Sequence, residues 1–162
     1  MEYDFIDVVT GELKYKTSEG VLRSSAIGSC IVVACYEQDI KLGIMAHIML
    51  PGACPDNSER NYRYAENAID GIIEVLSSYD CCPEQVKTFL VGAGNVLKKE
   101  NDTICKDNIK SVESLLQKRS FKITDQILGG FQRKSIRMDI ATGAVYYTIG
   151  DENEKALYKK DI

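Results

Sequence analysis

The stretch Ile31-Val32-Val33-Ala34-Cys35-Tyr36, followed by the polar Glu37-Gln38-Asp39-Ile40 and then Lys41 to Leu50, decides how the chain folds. Six consecutive apolar residues rich in β-branching favour a buried strand over a helix. The polar break suits a hairpin loop, and Lys41–Leu50 returns as a second strand closed by Pro51-Gly52. On the N-terminal side, Phe5 to Lys16 reads as two short strands around Thr10-Gly11-Glu12, and Thr17 to Ser25 as a polar stretch. On the C-terminal side the period changes. Ala65, Ala68, Ile69, Ile72, Ile73 and Leu76 make one apolar face of a helix spanning 61–78, with Gly71 a discordant residue inside it. Val86–Val91 reads as a strand running into Gly92-Ala93-Gly94. Asp107 or Asn108 can cap a second helix that carries Val112, Leu115 and Leu116. Strands follow at 121–128, 136–140 and 145–149, the last two joined by Ala141-Thr142-Gly143. Many strands and two amphipathic helices predict an α/β (mixed α+β) domain, a layered sandwich on a largely antiparallel or mixed sheet. The domain is expected over 1–150. Residues 151–162 read as a charged, solvated tail in which Ala156-Leu157-Tyr158 can dock if it turns helical.

Composition excludes several classes of function. The chain has 162 residues, 44% of them hydrophobic and 27% charged, with a net charge of −4. That length suits one domain, large enough to bury about 68–70% of its unfolded surface without disulfides or metals. The acidic balance offers no footprint for nucleic acid. No apolar run approaches the roughly 18–20 residues of a membrane span, and the acidic start is unlike a secretory signal. The chain therefore reads as a soluble cytoplasmic domain without membrane insertion. Cys30, Cys35, Cys54, Cys81, Cys82 and Cys105 are even in number. They contain no Cys-x-x-Cys, and the neighbouring pair at 81 and 82 is awkward for a disulfide framework. His47 is the single histidine, which excludes any zinc site needing two. Gly92-Ala93-Gly94 lacks the spacing of a phosphate loop. No metal and no cofactor is expected.

The lone imidazole raises the question of what faces it. A hairpin centred between Gln38 and Asp39 sets Cys30 directly opposite His47, with Cβ atoms about 4.5–5.5 Å apart on one face. Cys35, an odd number of residues away, points to the opposite face. A free thiol is mostly protonated at neutral pH, and an imidazole that takes its proton makes it a nucleophile. Backbone N–H groups around Gly28-Ser29 can stabilise the oxyanion of a tetrahedral intermediate. A third group should orient the imidazole, and the hydroxyls of Ser24 and Ser25 are the local candidates.

Two blocks of sequence carry a family resemblance. Ser24-Ser25-Ala26-Ile27-Gly28-Ser29-Cys30 and Gly43-Ile44-Met45-Ala46-His47-Ile48-Met49-Leu50-Pro51 are similar to blocks of the chemoreceptor glutamine deamidases, the CheD family of chemotaxis proteins. Weaker blocks follow in order at Arg63–Ala68, Val91–Asn95, Asp107-Asn108 and Gly129-Gly130. The resemblance implies a cysteine amidohydrolase that deamidates glutamines in the cytoplasmic helices of methyl-accepting receptors. Its fold would be a layered sandwich related to toxin deamidases. By position, Cys30 matches the nucleophile, His47 the general base and Ser24 the hydroxyl that orients it. The resemblance further implies a thioester intermediate, hydrolysis of glutamyl methyl esters in some members, and a CheC-type phosphatase as partner. An alternative role is as a regulator of that phosphatase with little catalysis of its own. The chain departs from the family pattern in having Ser24 for threonine, Ile104-Cys105 for Ile-Gly, and Phe131-Gln132-Arg133 without a later glycine.

Overall fold

A computed structural model describes residues 4–56 and 58–160. The first three residues of the acidic start, and the tail's last two, lie outside them. The chain forms ten strands: β1 (Phe5–Asp7), β2 (Leu13–Thr17), β3 (Val21–Ile27), β4 (Ile31–Glu37), β5 (Leu42–Ile48), β6 (Lys87–Gly92), β7 (Ile123–Leu128), β8 (Lys134–Asp139), β9 (Val145–Ile149) and β10 (Lys155–Tyr158). Two helices, α1 (Ala65–Ser78) and α2 (Ile104–Lys118), interrupt them. The strands build two five-stranded sheets, ordered β1-β3-β8-β9-β10 and β2-β5-β4-β6-β7. Each is largely antiparallel with one parallel pair, β1 with β3 and β6 with β7. The expected layered sandwich is observed.

Every side chain of β4 is buried, which explains its unbroken apolar sequence. Val32, Ala34 and Tyr36 pack between the sheets with Leu22, Met45, Phe89, Ile136 and Met138. Ile31, Val33 and Cys35 face the other way, against Ile69, Ile72, Leu76, Val112 and Leu116 of the helices. The layers are therefore sheet, sheet, helices, with β4 and β5 in the middle. Gly43 lets the sheets approach closely, since a Cβ there would lie 2.3 Å from Ile140 Cδ1 and 3.0 Å from Met138 Sδ. Gly71 is discordant in the helical pattern for a similar reason: its missing side chain makes room for Tyr62 and Leu13.

Several local expectations are corrected. β3 occupies much of the stretch read as merely polar. Val21, Leu22 and Ile27 are its only large apolar residues, and a bulge between Ser24 and Ile27 breaks its alternation. Ala26 sits in that bulge with a left-handed φ of 54°. The two N-terminal strands exist, but they belong to different sheets. α1 begins at Ala65 rather than Asn61, because the preceding residues turn and pair Tyr64 with Leu50. Thr103, not Asp107 or Asn108, takes the N-cap position of α2 without a side-chain bond, and the Asp102 carboxylate instead accepts from Cys105 N–H at 3.2 Å. Ala156-Leu157-Tyr158 does dock, as the edge strand β10 against β9 rather than as a helix. No described helix is long and apolar enough to cross a membrane.

The hairpin register also differs. Lys41 takes a left-handed φ of 50°, so it belongs to the turn, and Glu37 pairs with Leu42. His47 consequently faces Val32, with Ile31 opposite Ile48. Partners have moved by two residues relative to the expected pairing, and a two-residue shift preserves the face. Cys30 still packs on the inter-sheet side that carries His47, while Cys35 lies on the helix side.

Burial on α1 makes a prediction. Ile72→Ala should cost about 2–5 kcal/mol in urea denaturation, because Ile72 is wholly enclosed. Ile73→Ala, on the half-buried flank, should cost clearly less.

Candidate active site

The site forms where the N-terminal end of β4 meets the C-terminal end of β5, and a residue from the other sheet completes it. Leu22 and Ser24 of β3 both point inward between the sheets. Ser24 Oγ donates to Val8 O at 2.6 Å and lies 2.8 Å from His47 Nδ1. The hydroxyl has one proton, which the short contact to a carbonyl requires. Nδ1 must therefore carry its own proton and donate to Ser24 Oγ. Val8 O, at 3.5 Å, lies on the same side of the ring. This assignment leaves Nε2 with its lone pair, and no described residue hydrogen-bonds that atom. Burial holds the His47 pKa below its usual value, with Val8 O opposing the shift. At neutral pH the ring is an uncharged base.

Cys30 stands one residue before the ladder, in a turn pinned by β6. Ala93 N–H donates to Cys30 O at 2.7 Å and Gly94 N–H to Gly28 O at 2.9 Å. Gly92 makes this approach possible: with φ 140°, a Cβ on it would lie 2.1 Å from Cys30 O. Gly92-Ala93-Gly94 therefore acts as a backbone clamp on this turn. Burial pushes the Cys30 thiol pKa up, while the Thr10 hydroxyl pulls it down. Neutral thiol beside neutral imidazole is the resting state these directions describe. No hydrogen bond joins Cys30 to His47 among the described residues. The register makes them diagonal neighbours, for which Cα separations of about 7–8 Å are usual and a ring can still reach across.

Cys30 opens onto a cleft of about 330 Å³, walled by Gly28, Ser29, Asn95, Leu97, Asp102 and Cys105. Larger hollows, about 930 Å³ beside Tyr36 and Tyr146 and about 530 Å³ along α1, lie away from Cys30, and His47 lines none of the three. The loop after Gly129-Gly130, where the chain departs from the family pattern, is braced by Lys134. Its ammonium donates to Gly129 O and, at 3.2 Å, to Gln132 O. All six cysteines are free. Cys35 is pushed up to about 12 and Cys105 to about 11, both chiefly by burial.

The structure thus joins Ser24 to His47 directly and sets Cys30 on their face without bonding it to them. Sequence reasoning missed Val8, whose contribution is a carbonyl that any residue supplies. It also missed Thr10, Lys134 and the buried side chain of Asn108. Thr10 lies in the first predicted turn and Asn108 in a family-like block, yet nothing about their spacing assigned them a partner.

The sequence model of the family described as CheD chemotactic sensory transduction matches residues 49–148. The chain is 36% identical over 158 residues to a protein of Chlorobium luteolum named probable chemoreceptor glutamine deamidase CheD, covering 97% of this chain and 79% of that one. The chain belongs to the CheD family. A Thermotoga maritima relative, named chemoreceptor glutamine deamidase CheD, is 26% identical over 133 residues, covering 82% of this chain and 84% of its own. A Haloarcula marismortui relative with the probable form of the same name is 26% identical over 140 residues, covering 85% and 81%. The family model begins two residues after His47, so the three candidate residues lie outside its match. The Chlorobium luteolum alignment spans nearly the whole chain.

The clamp on Cys30 is open to test. Gly92→Ala should lose about 1–3 kcal/mol in urea denaturation through strain at a left-handed φ. It should also change the rate at which iodoacetamide labels Cys30, because the added methyl displaces the Cys30 carbonyl.

Proposed function

We propose that this CheD protein hydrolyses glutamine side chains of chemoreceptors to glutamate, with Cys30 as nucleophile, His47 as base and Ser24 as the group that orients it. The chain is in this reading a protein-glutamine glutaminase acting in the cytoplasm on the cytoplasmic helices of methyl-accepting receptors. The names of its relatives support the substrate. The Ser24–His47 hydrogen bond carries the chemistry, since it leaves Nε2 unprotonated on the face that Cys30 shares.

The Cys30 thiol proton passes to His47 Nε2 as Sγ attacks the carboxamide carbon. N–H groups of the Gly28–Cys30 turn hold the oxyanion. The imidazolium then protonates the nitrogen as the C–N bond breaks, ammonia leaves and a thioester remains. Water attacks the thioester carbon while His47 takes its proton and returns it to the departing sulfur. The balance is glutamine plus water to glutamate plus ammonia. A glutamyl methyl ester fits the same steps with methanol as leaving group.

Four exposed apolar side chains, Val9, Met49, Leu97 and Phe131, stand on the loops framing the site. They suit the apolar stripe of a helix. A CheC-type phosphatase that offers such a helix would bind over the same cleft, making regulation and catalysis alternate uses of one surface.

Cys30→Ala should abolish ammonia release, and the roughly 1 Da mass gain, from a purified receptor cytoplasmic fragment. Its circular dichroism should be unchanged, and retained activity would sink the assignment. The pH dependence has a definite sign. Protonating His47 removes the base, so activity falls as pH drops through its folded pKa. That pKa is depressed, so the acid limb of kcat/KM should lie below the ordinary histidine value of about 6.5.

A further inference from the structure

Asn108 lies early in α2 and is fully buried. Its Nδ2 donates to Ser29 O at 3.0 Å and to Met49 O at 3.1 Å, which uses both of its protons. Two carbonyl partners settle which end of the amide is nitrogen. Oδ1 is then buried without a hydrogen-bond partner. A buried acceptor left unpaired is unfavourable, so packing alone does not account for an amide here. Its two donors do account for it.

The carbonyls they hold are distinctive. Both lie just beyond Ile31–Ile48, the last pair of the β4–β5 ladder, where the two strands have no further partners in each other. Ser29 precedes Cys30, and Met49 follows His47 by two. The 92–94 turn already holds Gly28 O and Cys30 O from the β6 side. Ser29 O is the remaining carbonyl of the turn, and Asn108 takes it from the helix side.

We propose that Asn108 is a positioning residue, whose side-chain amide closes the open end of the β4–β5 hairpin and so keeps Cys30 within reach of His47. The proposal rests on the reading of Cys30 and His47 given above. Asn108 touches neither the substrate nor the reacting atoms. It acts through Ser29 and Met49, fixing all three peptide planes of the nucleophile turn once the β6 clamp is counted. Its lone acceptor is what this bridging geometry leaves over.

The test compares Asn108→Ala with Val112→Ala, a buried substitution on the same helix and away from the turn. Two readouts are taken well below each variant's Tm: deamidation kinetics on a receptor cytoplasmic fragment, and the pH profile of Cys30 labelling by iodoacetamide. Asn108→Ala should lower kcat by about tenfold or more while KM changes by less than about twofold, as misplacement of a reacting group does. It should also shift the labelling profile, and Val112→Ala should do neither. Unchanged kcat and labelling in Asn108→Ala overturn the proposal, as does an equal loss in Val112→Ala at matched Tm. If the alanine variant does not fold, Asn108→Ser, which keeps one donor, takes its place. Failure of both to fold assigns the residue to the folding core and also overturns the proposal. Labelling needs no receptor, so a wild-type protein that releases no ammonia defeats the deamidase reading while the labelling comparison still decides the role of Asn108.

Discussion

One strand buried on both faces sets the constraints for the rest of this molecule. β4 has no side chain in water, so an apolar layer must cover each of its surfaces. The helices cover one and the second sheet the other. Each enclosed aliphatic side chain contributes roughly 1.5–3 kcal/mol of transfer free energy, which makes this the chief driving force for the layering. Alternation then sorts the strand residue by residue: Ile31, Val33 and Cys35 to the helices, Val32, Ala34 and Tyr36 to the sheet. Cys30 inherits the second parity and His47 reaches the same side from β5. A thiol and an imidazole share one face between the two sheets because of the pleat.

That location decides the electrostatics. Between sheets the charged forms are poorly solvated, so burial lowers the His47 pKa and raises that of Cys30. Both groups rest uncharged, and in the proposed reaction the proton moves only as the thiol attacks. The Ser24 hydroxyl matters here because it is itself committed to Val8 O. A hydroxyl free to rotate could serve either tautomer of the ring, whereas one fixed as an acceptor selects the protonated Nδ1. Ser24 lacks the methyl that restrains a threonine rotamer, and the 2.6 Å bond to Val8 O supplies a restraint instead.

The turn that carries Cys30 shows how backbone rather than side chains builds a site. Gly92, with no Cβ, lets one strand's carbonyl come within bonding distance of the next turn's N–H. Ala93 follows in a left-handed conformation, φ 55°, so two consecutive residues hold uncommon angles to present their N–H groups. The cleft in front is walled by loops that sit on this frame, and the Lys134 ammonium ties down the one that carries Phe131. Apolar side chains displayed on such braced loops can meet a partner with little ordering left to do.

Residue order alone determined that Ile31–Tyr36 is an interior strand and that Ala65–Leu76 turns one face inward, because hydrophobic period is a local property of the chain. It also determined that Cys30 rather than Cys35 shares a face with His47, since parity survives the two-residue error in register. Elsewhere the polar residues of β3 hid a strand whose place is set by β8 and β1, and the tail's apolar triplet signalled docking as a helix rather than as a strand on β9. Helix α2 began three or four residues before the polar residues that seemed to cap it, because burying Asn108 against two carbonyls outweighed its capping preference. Local pattern left Ser24 and Ser25 open and the resemblance named Ser24; only the tertiary structure decided that Val8 O fixes the imidazole's tautomer and that α2 reaches the turn before Cys30. Those contacts join residues far apart in sequence through hydrogen bonds, whose partners depend on distances that no local pattern encodes.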